Sequence, residues 1–318
     1  MLLKEQTKQA HNFLVDSHQV GQRLDRFLAD QVTWTSRIRI GRAIANGDCL
    51  LNAQVARPGM KLSAGDSVSI QLPELVFSSM TPERLPLAIL FEDNDLIVVD
   101  KPAGMLVHPT QGVKSGTLAN ALSYHLNQRN TGLGAESGRD VALGENMPVV
   151  RPGIVHRLDR ATSGLMVVAK NQRALSILSR HFHKKLVEKR YIAVVEGIPR
   201  ETVLGISAPI GRDENGPPFW RVMETGRYAE TRLRVMFKGK SSAVVELEPV
   251  TGRTNQLRIH CAHIGHPIAG DDWYGGSSGD RLCLHAAKLG FHHPSGGDWL
   301  EFRSPIPIEI DEVFRKRK

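Results

Sequence analysis

The chemistry in this sequence concentrates in one run, Arg151-Pro-Gly-Ile-Val-His-Arg-Leu-Asp-Arg-Ala-Thr-Ser-Gly-Leu-Met-Val-Val-Ala-Lys170. Asp159 is its only acid and sits between Arg157 and Arg160, whose charges should hold the carboxylate ionised and aimed. Such a carboxylate serves as a nucleophile or a general base. The same residues also suit a surface turn in which Asp159 and Thr162 cap backbone amides. Leu165 to Ala169 are continuously apolar, the pattern of a strand buried on both faces, so the polar residues before them stand at the edge of a core.

Other groups lie farther along. Tyr191 begins an apolar strand, Lys189 to Val195, where an aromatic ring ordinarily packs into a core. Arg258 falls in Thr251-Gly-Arg-Thr-Asn-Gln-Leu-Arg-Ile-His260, a Gly-Arg turn opening a helix. Lys101 follows the strand Leu96 to Val99, in a turn shaped by Pro102 and Gly104; it either faces a basic groove or is simply solvated. His260, Cys261, His263 and His266 raise a metal alternative, but Gly265 and Pro267 interrupt the helix, and no Cys-x-x-Cys or His-Glu-x-x-His accompanies them.

The elements that must position these groups belong to an ordinary globular chain of 318 residues, long enough for one large domain and a small one. Three scattered cysteines make no disulfide framework and read as small buried hydrophobes. No apolar run reaches the roughly eighteen residues of a membrane span, and the start lacks the apolar core of a secretory signal, so a cytoplasmic protein is expected. The net charge is +8, and residues 151 to 190 alone carry ten Lys or Arg against Asp159 and Glu188. A basic field centred on the candidate site suits a polyanionic partner, though charge runs are commonly solvated faces.

In chain order, residues 1–15 read as a flexible tail and 16–75 as a compact module. Within it Leu24, Phe27 and Leu28 share one helical face, and Ile40, Ala43 and Ile44 another; Ser36 can cap the second helix and Gly47 can end it. Arg37, Arg39 and Arg42 lie near the start of that second helix, where phosphate can meet side chains and helix amides. Short strands follow at Cys49-Leu50-Leu51, at Val55 and along Val68, Ile70 and Leu72. Residues 76–85 read as a linker and 86–318 as the large domain, with a flexible loop at 128–149. Leu175, Leu178 and Phe182 mark a helix, and Tyr228 to Val235 and Ala243 to Val250 alternate as half-buried antiparallel strands. Residues 200–226 are expected to wander, Ala287, Leu289 and Phe291 to form a late strand, and the terminal Arg315-Lys-Arg-Lys318 to be a disordered tail.

His156-Arg157-Leu158-Asp159 followed by Thr162-Ser163-Gly164 and the apolar strand resembles the signature of the RluA-type pseudouridine synthases, which isomerise uridine in RNA. Lys101-Pro102-Ala103-Gly104 with Val107-His108-Pro109, and the run Thr251 to His260, resemble the family's other two motifs in the right order; Gly270-Asp271 and Tyr274-Gly275-Gly276 also resemble it. The amino-terminal spacing, Arg23-Leu-Asp-Arg-Phe-Leu to Gly65-Asp66, resembles the S4-like RNA-binding domain. The resemblance covers about residues 18 to 310. It implies an α+β fold: a mixed, largely antiparallel sheet with a central cleft, plus the small α/β S4-like domain. It implies pseudouridine formation without cofactor or metal, on structured RNA and ribosomal RNA above all, by a monomer with no membrane attachment. In the resemblance Asp159 is the essential aspartate, Arg258 pairs with it, Tyr191 stacks on the base, and Arg157 fills the space that the base leaves. Whether Asp159 attacks the anomeric carbon or takes a proton from the neighbouring sugar carbon is left open. One departure stands out: Asn255 occupies a place where the family usually has His, and an amide cannot titrate. An RNA-binding or ribosome-assembly factor without catalysis, and a metal-dependent hydrolase built on the His260 cluster, are the alternatives.

Overall fold

A computed structural model of the chain describes residues 8–32, 35, 37–73, 81–130, 151–213 and 215–316. They fall into two compact units, one within Met1–Pro82 and Ser123–Arg151, the other within Glu83–Leu122 and Pro152–Lys318. Ser36, residues 76–80 of the expected linker and positions 131–149 of the expected loop lie outside the described residues.

In the first unit, β1 (Lys8–Leu14), β2 (Cys49–Leu51), β3 (Gln54–Val55) and β4 (Ser67–Pro73) form an antiparallel sheet in the order β1-β4-β2-β3. Two helices, α1 (Leu24–Gln31) and α2 (Arg37–Ala45), share one core with it, in which Phe27, Leu28, Ile40 and Ile44 meet Val68, Ile70 and Leu72. The alternation of the last three is what turns β4's apolar face to the helices. Helix α2 stops where Gly47 takes φ +80°. Residues 8–14, expected in the tail, are instead β1: they pair along β4 from Lys8↔Pro73 to Leu14↔Ser67, and Phe13 sets its ring edge-on to Phe27. Among the described side chains from Gln9 to Val15, only His11, Phe13 and Val15 turn inward, too few apolar positions to announce a strand.

The second unit is built on a ten-stranded sheet. Its strands are β5 (Ala88–Glu92), β6 (Leu96–Lys101), β7 (Gly153–Ile154), β8 (Ser163–Ala169), β9 (Glu188–Glu196), β10 (Val203–Ser207), β13 (Glu230–Lys238), β14 (Ser242–Pro249), β15 (Leu284–His292) and β16 (Trp299–Arg303), while β11 (Ile210–Arg212) and β12 (Trp220–Val222) pair separately. The order is β10-β13-β14-β9-β15-β8-β6-β5, with β7 on β8 and β16 on β15, and every pairing is antiparallel except the short parallel contact of β15 with β8. The fold is therefore mixed α+β with a largely antiparallel sheet.

Helix α3 (Leu118–Asn130) starts in this unit, and α4 (Gln172–His183), α5 (Gln256–His263) and α6 (Ile308–Lys316) lie wholly in it. All seven residues of β8 are buried, as its continuous apolar run requires. Ala174 and Leu178 of α4 pack on β6 and β8, whereas Leu257 and Cys261 of α5 and Ile310 of α6 join the core around β9 and β14. Two expectations fail here. Residues 200–226 carry three strands rather than wandering, because Leu204 and Ile206 join the sheet's core while β11 and β12 are too short to display a period. Arg315 and Lys316 end α6 instead of lying in a loose tail, since Ile310, Val313 and Phe314 give that helix a packed face. All three cysteines are buried, and none is in a disulfide. Among the described residues no helix is long and apolar enough to cross a membrane.

Candidate active site

Asp159 sits in the loop between β7 and β8, and that loop is fixed from two sides. Ahead of it, His156 Nε2 accepts the Val167 amide at 3.1 Å and the ring stacks on Phe182 at 4.4 Å. An accepting nitrogen requires the neutral ring, and burial pushes the His156 pKa down to about 3. Behind it, the Gly104 amide donates to the Arg160 carbonyl at 2.8 Å, and Arg160 Nε donates to the Gly104 carbonyl at 3.0 Å. Lys101 completes this clamp with hydrogen bonds from Nζ to the carbonyls of Pro102 and Met105 at 2.7 and 3.0 Å, and a longer one to Arg160 at 3.4 Å. Lys101 thus does not face a groove toward RNA: its side chain is fully buried, because the turn shaped by Pro102 and Gly104 directs carbonyls at the ammonium.

Downstream, Gly164 lets β8 approach β15. It has φ +119°, and a Cβ there would stand 2.4 Å from the Ala286 carbonyl oxygen. Ser163 Oγ is held by His285 Nδ1 at 2.9 Å and by Arg281 Nη2 at 2.6 Å. The Thr-Ser-Gly of the central run is therefore a close strand contact, and it sets where Asp159 begins.

Half-buried Asp159 has its pKa raised by burial, opposed by Arg258, then Arg157, then Lys101, while Asp271 adds to the rise. The expected pair of flanking arginines is thus only half present. Arg157 acts on the carboxylate from an exposed position, whereas Arg160 is committed to Gly104.

Tyr191, on β9 opposite Ala286 of β15, lines the same cleft of about 620 Å³ as Asp159, Arg157, Lys189 and Asn255. Burial and then the Asp159 charge raise the Tyr191 pKa well above its ordinary value, so the phenol stays protonated. Its ring is half-buried and packs on the β9–β14 core.

Arg258, on α5, makes two parallel hydrogen bonds, but to Asp271: Nε to Oδ2 at 2.7 Å and Nη2 to Oδ1 at 2.6 Å. Its guanidinium carbon lies 5.0 Å from the centre of the Tyr274 ring. The expected direct pair with Asp159 gives way to an electrostatic influence, because the fully buried Asp271 carboxylate takes the fork. Asp271 and Tyr274 are the residues that sequence reasoning passed over. Both lay in stretches noted for their resemblance, and neither had been given work to do.

The turn into α5 is held by Gln256, whose Oε1 accepts from Thr251 Oγ1 at 2.6 Å and from the Arg253 amide at 3.0 Å. Both His260 nitrogens are engaged, Nδ1 with Thr231 Oγ1 at 2.9 Å and Nε2 with the Ala208 carbonyl at 3.0 Å, and His266 Nδ1 meets the Glu196 carbonyl at 2.8 Å. These are the contacts of packed histidines, and among the described residues no group of three His, Cys, Asp or Glu could hold a metal ion. In the first unit Arg37, Arg39 and Arg42 are all exposed on α2, and Arg37 Nη2 bonds Asp25 of α1 at 2.9 Å.

Residues 95–263 match the family model described as RNA pseudouridylate synthase. The chain is 37% identical over 299 residues to an uncharacterised RNA pseudouridine synthase of Bacillus subtilis, covering 93% of this chain and 94% of the relative. It is also 37% identical over 313 residues to ribosomal large subunit pseudouridine synthase D of Zymomonas mobilis, covering 93% and 94%. Among solved structures, human RNA pseudouridylate synthase domain containing 1 superposes with a TM-score of 0.56 at 25% identity, over 74% of this chain and 95% of that one.

Proposed function

Because the chain belongs to the RNA pseudouridine synthase family, an isomerase family, we propose that it converts uridine to pseudouridine in large-subunit ribosomal RNA, with Asp159 as the essential carboxylate and without cofactor or metal. The observation that carries this reading is the placing of Asp159, Tyr191 and the charge of Arg258 about one cleft, sized for a nucleoside within the range of small-molecule sites. The ribosomal target is supported by the relative from Zymomonas mobilis that bears that name.

The reaction breaks the bond from uracil N1 to the anomeric carbon, turns the base, and joins C5 to that carbon. The C5 proton leaves and N1 gains one, so nothing is consumed. A uridine in structured RNA must first leave its stack, at a cost of a few kcal/mol. Arg157, exposed beside Asp159, fills the vacated space. Asp159 then either attacks the anomeric carbon or removes the proton from the adjacent sugar carbon, and both routes need it ionised. Tyr191 offers its face for stacking on the uracil and, with its phenol protonated, a hydroxyl hydrogen bond. The first unit, read as the S4-like domain, presents Arg37, Arg39 and Arg42 to phosphates. The protein acts as a monomer.

The test is release of tritium from C5 of uridine in labelled large-subunit ribosomal RNA, with chelator present. Release is expected from the protein and absent from Asp159→Asn, which still binds RNA. Turnover persisting in that variant, or lost on chelation, would overturn the reading.

A further inference from the structure

Asn255 stands at the amino end of α5 with φ +53° and ψ 20°, a left-handed conformation that Asn tolerates better than most residues. Its side chain lies between the Asp159 carboxylate and the Tyr274 hydroxyl, and its amide fits there in two orientations. In one, Nδ2 donates to Tyr274 Oη at 3.1 Å, and Tyr274 Oη donates to the Trp220 carbonyl at 2.9 Å. That turns the Asn255 oxygen toward Asp159, a contact that is attractive only when the carboxyl carries a proton. In the other, Nδ2 lies 3.3 and 3.1 Å from the two Asp159 oxygens, while the amide oxygen accepts from Tyr274 Oη at 3.1 Å. This second orientation suits the carboxylate. Tyr274 has one proton to give, so it cannot serve Trp220 and Asn255 together.

We propose that Asn255 is a positioning residue whose amide, with its oxygen held by Tyr274, donates to ionised Asp159 and holds the carboxylate in place. The inference rests on Asp159 acting as the carboxylate proposed above. The charge vanishes in the first step by either route: as a base Asp159 gains the sugar proton, and as a nucleophile it becomes an ester. Unlike a histidine, the amide holds the carboxylate up to that step without competing for the proton.

The test is the single-turnover rate of tritium release as a function of pH, with enzyme in excess over RNA. Asn255→Ala removes the donors that favour the charged form, so the acid limb moves up by about one pH unit. Asn255→Asp sets a like charge beside Asp159 and moves it further. Asn255→His restores a donor and brings the limb back. Tyr274→Phe, which leaves the Asn255 oxygen without its donor, moves the limb part of the way and stands in should Asn255→Ala fail to fold. A rate lowered equally at every pH, with the limb unmoved in Asn255→Ala or in Tyr274→Phe, overturns the positioning. Activity in Asp159→Asn overturns the reading beneath it instead, so the two failures are distinct.

Discussion

Replacing Lys101 with methionine should alter how stability depends on pH. The Lys101 ammonium is fully buried at the base of the Asp159 loop and donates to three carbonyls. Burial lowers its pKa from the ordinary 10.5 to about 8, against the opposing pull of Asp159. The unfolded chain therefore binds the proton more tightly than the folded one, and unfolding takes up a proton between the two values. Stability then rises with pH across that window: the cost of burying the charge, about 3 kcal/mol, is present in full below about pH 8 and relieved as pH approaches 10.5. Methionine keeps the length and apolar body of the side chain and removes the charge, but strips three carbonyls of their donor, at about 1–3 kcal/mol for each that stays buried. Near pH 7 these effects oppose one another. As the pH rises to about 9.5, wild type regains about 2 kcal/mol that the variant never lost, so the variant's deficit should widen by that amount. Urea unfolding followed by circular dichroism at the two pH values measures the difference. A deficit that stays constant, or shrinks, would refute a buried charged amine at this position.

Two further predictions concern the same neighbourhood. Asp271→Ala leaves Arg258 largely buried without its carboxylate and should cost about 3–5 kcal/mol in denaturant unfolding; a wild-type midpoint would mean that the pair contributes little. Gly164→Ala sets a Cβ against the Ala286 carbonyl at a left-handed φ, and should cost at least about 1–3 kcal/mol while lowering tritium release by shifting the Asp159 loop. Unchanged unfolding in that variant would show that β8 and β15 are not in such close contact.

The strands and helices of both units were legible where one period ran long enough. The seven buried residues of β8 and the alternation along β13 are examples, whereas β14, expected to alternate, buries four residues in a row. What escaped has physical causes. Strands of three residues, such as β11 and β12, show no period. A lysine is read as solvated by default, and only the turn at 102–105 reveals carbonyls enough to bury one. Flanking arginines look equivalent in sequence, yet Arg160 turns to Gly104 while Arg157 stays beside the carboxylate, since neighbours along a loop need not share a face. Asp271 as partner of Arg258 was hidden because the chain between them leaves the helix before returning. The departure at Asn255 was visible, but its reach to both Asp159 and Tyr274 was not.

The parallel contact of β15 with β8 also governs when the cleft can exist at all. Tyr191 follows Asp159 in the chain, yet β9 and β8, the strand that the Asp159 loop leads into, are not neighbours: β15 lies between them and bonds to both. During synthesis the aspartate and the tyrosine emerge early and must wait for residues 284–292 before the sheet can close around them. Closure over so long a separation is slow and entropically costly, so the cleft should be among the last features to form. A nascent chain then carries the whole basic run from Arg151 to Arg190 before the pocket can close. The basic run and the closed cleft are separated in time by the strand order alone.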